Sequence, residues 1–220
     1  VGAIHLEFET ASIDPDACAE CGTCTRSNAC PEDAIREGHL SWPRVLREAF
    51  SNPIATHAST GVPGRGTGGI KTNDTTNRYG SGVMGVFVEL GRPVLGARFV
   101  DAERVLKKFT AHGFPMVQDN PVAGLVADPQ TGALKSEILN EKAISILIEF
   151  LVPETAKQEL LRILRELSDE VTTVFNVSVA LRASEDGRSP LSDLFGTGIW
   201  SLPNGKVNLG LAEGIAKERS

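Results

Sequence analysis

Four cysteines, Cys18, Cys21, Cys24 and Cys30, fall within thirteen residues and are the only cysteines of the 220-residue chain. Their spacing is Cys-x2-Cys-x2-Cys-x5-Cys, and Pro31 follows the last. Thiolates are soft ligands, and four on one short loop suit an iron–sulfur cluster or a zinc ion. Two nested Cys-x2-Cys steps put three sulfurs on one concave turn. Gly22 between them supplies freedom at positive φ, so that backbone N–H groups can face sulfur. Zinc sites more often split their cysteines into two separated pairs. Three closely spaced ligands match corners of one [4Fe-4S] cubane, with zinc as the alternative. With every thiol committed to metal, no Cys-His nucleophile remains, and a reducing, cytoplasmic setting is expected.

The segment Asp16-Ala-Cys18-Ala-Glu-Cys21-Gly-Thr-Cys24, continued by Cys30-Pro31-Glu-Asp-Ala34-Ile35, resembles bacterial-type ferredoxins over residues 14–36. One departure matters. The ferredoxin run has three residues between its third and fourth cysteines, whereas this chain has five. In two-cluster ferredoxins the fourth cysteine serves the other cluster, and no second set of cysteines exists here. Either the loop 25–29 returns Cys30 to the same cluster, or Cys30 completes a cluster with another subunit.

A second stretch that could do chemistry is residues 51–81, rich in glycine, threonine and asparagine and poor in large apolar side chains. A surface linker would account for the glycines. It would not require the side-chain donors gathered there, which suit an anionic or polar substrate. Arg65, Lys71, Thr72, Asn73, Asn77 and Arg78 are therefore the candidate substrate-binding residues, and His57 the candidate proton donor. Two nucleotide motifs nearly fit and are rejected. Gly64-x-Gly66-x-x-Gly69 lacks the preceding strand and following helix of a dinucleotide site, and Ile70 stands where a phosphate loop needs lysine.

The block His57-Ala-Ser-Thr-Gly61-Val-Pro-Gly64-Arg-Gly66-Thr, with Lys71-Thr-Asn-Asp74 and Glu89-Leu-Gly91-Arg92-Pro93, resembles 6-hydroxynicotinate reductase-like iron–sulfur proteins. The resemblance spans residues 16–180. It implies ferredoxin-linked reduction of a small heteroaromatic or carboxylate compound, by a subunit or segment of a larger reductase with further redox cofactors.

The elements that must position these residues follow from hydrophobic periodicity. Residues 1–50 read as the cluster module: a half-buried strand over Gly2–Thr10, a returning partner over Ala34–Leu40, and a short helix capped by Ser41 and stopped at Asn52-Pro53. Residues 82–183 read as strand Val83–Leu90, a helix Asp101–His112 capped by Asp101, strands Phe114–Val117 and Ala123–Asp128, strand Ala143–Val152, helix Pro153–Ser168 and strand Thr172–Arg182. The fold class is therefore α+β: a small ferredoxin-type iron–sulfur module followed by a β-α-β-β-α-β, ferredoxin-like domain. That domain covers only one face of its sheet with helices, leaving the other for the cluster module, the glycine-rich loop or a partner. Residues 184–220 form a tail with a hairpin signal at Asn204-Gly205, and Trp200 beside it reads as a packing anchor.

Composition narrows the function classes. The chain is 41% apolar and 23% charged, with a net charge of −6, and its longest apolar run is too short to cross a bilayer. No basic run is present to neutralise phosphates, which argues against nucleic acid as partner. Neither a signal peptide nor a membrane partner is expected. A redox partner protein or other reductase subunits are expected, steered by the acidic surface. The alternative is a small-ligand-binding regulatory module carrying an electron-transfer or structural metal cluster.

Overall fold

A computed structural model describes residues 2–56, 78–92, 95–185 and 189–191. The candidate residues His57, Arg65, Lys71, Thr72, Asn73 and Asn77, and the tail signals at Trp200 and Asn204-Gly205, lie outside them. The described chain is a mixed α/β structure with several small antiparallel sheets and four α-helices.

In the N-terminal region β1 (Ile4–Glu7) pairs antiparallel with β2 (Thr10–Ile13). This corrects two expectations. The partner of the first strand is not Ala34–Leu40, which is irregular, and the hairpin is exposed rather than half-buried. The turn is made by Phe8 and Glu9, both at positive φ (47° and 66°). Such a two-residue turn ordinarily announces itself with Asn or Gly, and neither is present. After α1 (Thr23–Arg26), α2 (Val45–Ser51) buries Leu46, Arg47 and Phe50. The Phe50 ring meets Phe99 edge-on at 5.1 Å, so this helix shares the main core.

Among the described residues the main sheet has three strands. Central β3 (Val83–Leu90) pairs antiparallel on one side with a long strand, Ile146–Pro153, and on the other with the last strand, Phe175–Ala180. Between them come β4 (Ala97–Arg98), α3 (Phe99–Ala111), β5 (Val126–Asp128), β6 (Ala133–Leu134) and β7 (Lys142–Ala143). The long strand is then β8, followed by α4 (Lys157–Glu170), and the last strand is β9. The segment expected as strand Phe114–Val117 is reduced to one bridge, Met116 opposite Phe150. It is extended by the bonds Val117 N–H to Glu149 O and Leu151 N–H to Pro115 O. Its Pro115 has no N–H to donate, which limits a longer ladder.

Alternation decides the two faces of the sheet. Met84, Val86, Val88 and Leu90 of β3 and Ile146, Ile148, Phe150 and Val152 of β8 are completely buried on one face. Both long helices contribute to that core, with Phe99, Val105, Leu106 and Phe109 from α3 and Leu160, Ile163 and Leu167 from α4. Phe109 stacks on Phe150 at 3.9 Å between ring centroids. Burying such a side chain contributes about 1.5–3 kcal/mol, so this face carries the stability of the fold. The opposite face carries a smaller apolar cluster of Tyr79, Phe87 and Leu147 around buried Glu149.

Asp101 does not cap α3 as its sequence position suggests. The helix begins at Phe99, and the Asp101 carboxylate, 1% exposed, accepts the N–H and hydroxyl of Thr172 (both 2.9 Å) and an N–H of Arg104 (2.6 Å). It therefore ties the first turn of α3 to the link between α4 and β9.

Candidate metal centre and the polar sheet face

The cysteine loop begins with a turn in which Asp14 accepts from the Asp16 N–H through its side chain (2.8 Å) and from the Cys18 N–H through its carbonyl (3.0 Å). Gly22 adopts the left-handed conformation (φ 63°) and opens the single turn of α1. Glu20, Asn28 and Asp33 also stand at positive φ, between or just beyond the cysteines. Gly22, left-handed and followed by the right-handed turn of α1, forms a pair of the kind that turns successive N–H groups to one side, as in an anion-holding nest. The Ala34 N–H points at the Cys30 sulfur (3.4 Å). Bonds from the backbone N–H groups of Ala34, Glu32 and Ile35 hold the Cys30 thiol below its ordinary pKa. Burial pushes the Cys18 thiol up instead.

All four cysteines are half-buried and free of disulfides. The Cys21 thiol donates to Thr23 Oγ1 (3.3 Å). Among the described residues no three His, Cys, Asp or Glu side chains are gathered into a metal-holding group. In kind and number the donors suit a cluster: four soft thiols on one loop, with backbone N–H groups already turned to sulfur at Cys30. Cys18, Cys21, Cys24 and Cys30 are the residues that would hold it, and the same four would serve zinc.

Among the described residues four arginines grip this loop, none of them marked as a site residue by any motif in the sequence. Arg47, buried on α2, donates from Nη1 to the carbonyls of Pro15 (2.9 Å), Asp16 (3.0 Å) and Cys18 (2.8 Å), while its Nε meets Glu141. Arg44 bonds Glu20 and the Pro15 carbonyl (2.8 Å). Arg26 donates to the Cys21 carbonyl and to Asn52, both at 2.8 Å. Arg98 reaches the Asp16 carboxylate (2.6 Å) and, by hydrogen bond and charge, holds it below the usual carboxylate range. Only the i, i+3 spacing of Arg44 and Arg47 could have hinted at this, since it puts both on one helix face.

Of the candidate substrate residues, Arg78 alone is among the described residues. Its guanidinium donates to Glu149 (3.2 Å) and Asp119 (2.8 Å) on the face of the sheet away from the long helices. Burial pulls its pKa down, but the hydrogen bonds and charges of Asp119 and Glu149 outweigh that and raise it above the ordinary arginine value. Tyr79 donates its hydroxyl to the same Glu149. Further along this face Ser145 donates to Glu89 (2.7 Å). A shallow cleft lined by Arg92, Ile144, Val174, Phe175 and Asn176 opens at that end of the sheet. None of the described helices is long and apolar enough to cross a membrane. No protein-family model matches the chain, and no curated protein or solved structure matches it either.

Proposed function

We propose that the chain is an iron–sulfur redox protein, a subunit or segment of a ferredoxin-linked reductase acting on a small heteroaromatic or carboxylate compound. The observation that carries this reading is the set Cys18, Cys21, Cys24 and Cys30 on one arginine-held loop. A [4Fe-4S] cluster bound there would supply one-electron transfer at a potential tuned by charge and by hydrogen bonds to its sulfurs. The chain's own part is to present the four thiols, exclude water from the half-buried Cys18, and dock a redox partner or sister subunit through an acidic surface. We also read the main sheet as ferredoxin-like. If the segment 114–117 counts as a reduced strand, the spatial order becomes that segment, then β8, β3 and β9, all antiparallel, with α3 and α4 on one face.

The substrate would lie against the glycine-rich segment, with His57 donating a proton and Arg65, Lys71, Thr72, Asn73 and Asn77 orienting the carboxylate and ring. Arg78 is bonded to Glu149 and Asp119, so an anion approaching it competes with two carboxylates.

The deciding experiment is anaerobic reconstitution of the full chain with ferrous iron and sulfide. A broad absorption band near roughly 400 nm, bleached by dithionite, supports the cluster, and Cys21→Ser should abolish or convert it. A colourless protein that takes up zinc stoichiometrically would replace this reading with a structural zinc site.

A further inference from the structure

The carbonyls of the cysteine loop are held unevenly along its length. Those of Pro15, Asp16 and Cys18 converge on one nitrogen of Arg47, a side chain 5% exposed and anchored at Nε by Glu141. The Cys21 carbonyl accepts from Arg26, which is braced by Asn52 at the end of α2. The Cys24 and Cys30 carbonyls instead accept from the Ser27 hydroxyl and the Asp33 N–H, each three residues further on. Those bonds tie the loop to itself and not to the core.

A buried guanidinium is costly unless its donors are satisfied. Arg47 sits on α2 between Leu46 and Phe50, in the main core, and Glu141 lies just before β7, a strand that pairs with β4 beside α3. Folding of that core therefore fixes where the guanidinium stands. The backbone of residues 15–18 is what satisfies it. A planar fork bonding several acceptors has no equivalent in lysine, whose ammonium is a single point of charge.

We infer that Arg47, anchored by Glu141, is the positioning residue of the cysteine loop. It sets the Cys18 end before any metal arrives and leaves the Cys24–Cys30 end to close on the metal. The inference rests on reading the four cysteines as a metal site, but its central claim concerns the metal-free chain.

The test is amide hydrogen exchange on the full chain, stripped of metal by chelator under anaerobic reducing conditions. The Cys18 amide should exchange at least about tenfold more slowly than in an open chain. The Ala34 amide, bonded to the Cys30 sulfur by a weak, exposed N–H···S contact within the loop, should gain comparable protection only after addition of ferrous iron with sulfide, or of zinc. In Arg47→Met the Cys18 amide should lose at least about tenfold of its protection, while the Val105 and Leu106 amides inside α3 keep theirs. Arg47→Lys should recover only part of it. In the iron-loaded protein Arg47→Met should also lower the reduction potential, because a fixed positive charge beside the Cys18 carbonyl is lost, whereas a role in packing alone would leave it unmoved. Unchanged Cys18 protection in Arg47→Met, or equal protection of Cys18 and Ala34 in the metal-free wild type, overturns the inference. If the α3 amides of Arg47→Met also open, the variant has not folded. Glu141→Gln, which weakens the anchor yet keeps an acceptor, then decides by the same Cys18 readout. A wild-type chain that binds neither iron nor zinc overturns the metal reading, and the metal-free exchange still decides the role of Arg47.

Discussion

The ring of Tyr79 occupies the space that a side chain on Gly85 would need, so the aromatic lies directly on the central strand of the main sheet. From there it meets Phe87 edge-on at 6.1 Å and donates its hydroxyl to Glu149 on the neighbouring strand. Gly85 thus admits the one tyrosine of the chain to the face away from α3 and α4.

Gly85→Ala should destabilise the protein by about 1–3 kcal/mol, because the new methyl and the Tyr79 ring cannot both stay in place. Tyr79→Phe, which keeps the ring but takes one donor from a buried carboxylate, should cost about 1.5–3 kcal/mol. Urea unfolding checks both through the midpoint, with the slope unchanged if the native fold persists. A neutral Gly85→Ala would mean that Tyr79 does not rest on the strand.

The sheet was legible in the sequence because its physics is local. The alternation of Ile146, Ile148 and Phe150 against Leu147 and Glu149 assigns the two faces of β8 as the structure has them. The helical spacing of Val105, Leu106 and Phe109 did the same for α3. What failed depended on groups whose role is set from a distance. Phe8 and Glu9 form a hairpin turn with no turn residue, and so hid the pairing of β1 with β2. Arg47 was unreadable for the opposite reason. A charged residue on a short helix reads as solvated, and its burial is explained by the carbonyls of Pro15, Asp16 and Cys18, some thirty residues earlier, and by Glu141, far later in the chain. The close spacing of the four cysteines was legible. The clamp that holds them was not.

Gly22→Ala should weaken the cysteine loop twice over. A non-glycine residue at φ 63° carries about 1–2 kcal/mol of backbone strain. Its Cβ would also stand 2.6 Å from Nη1 of Arg26, displacing the side chain that holds the Cys21 carbonyl. The expected result is a thermal midpoint lower by about 2–8 °C and reduced iron retention after reconstitution. Gly22→Asn should recover part of the midpoint, since asparagine tolerates this conformation, without restoring the Arg26 contact. Iron retention equal to wild type in both variants would show that the turn does not shape the site.

The surface between α3 and α4 sets a small pH dependence. Glu166 is held below its ordinary pKa chiefly by the hydrogen bond from Lys108, and Glu159 by that from Arg162. A carboxylate depressed in the folded state adds stability above its unfolded pKa, about 4.3 for glutamate, and loses it as pH falls through the lower folded value. Lys108, raised chiefly by hydrogen bonds to Glu170 and Glu166, adds stability below its unfolded pKa and loses it as pH rises through the higher folded value. Glu166→Gln should therefore lower the thermal midpoint at neutral pH and make no difference once pH is well below the carboxylate range. High salt should shrink the neutral-pH difference, because these groups are exposed. A difference that persists in strong acid would point to packing of the side chain instead of its charge.

Arg78 and Glu149 pose the question of whether an arginine of the glycine-rich segment serves the fold or a ligand. Glu149 is 6% exposed and shared by Arg78 and Tyr79, while the second partner of Arg78, Asp119, lies largely in water. Removing the arginine leaves a buried carboxylate short of its cation, and breaking such a pair from one side costs about 3–5 kcal/mol at full burial. The guanidinium here is partly exposed, so Arg78→Met should fall at or below the lower end of that range. Asp119→Asn, at the wet end, should cost less than about 1 kcal/mol. Adding Glu149→Gln to Arg78→Met should recover much of the loss, because a neutral amide no longer needs the cation. A double-mutant cycle by urea unfolding measures this as a coupling of about 1–3 kcal/mol between the two sites. Were the cycle to show no coupling, Arg78 would not be holding Glu149. An anion-binding role would then be favoured, and loss of carboxylate affinity in Arg78→Met at unchanged stability would establish it.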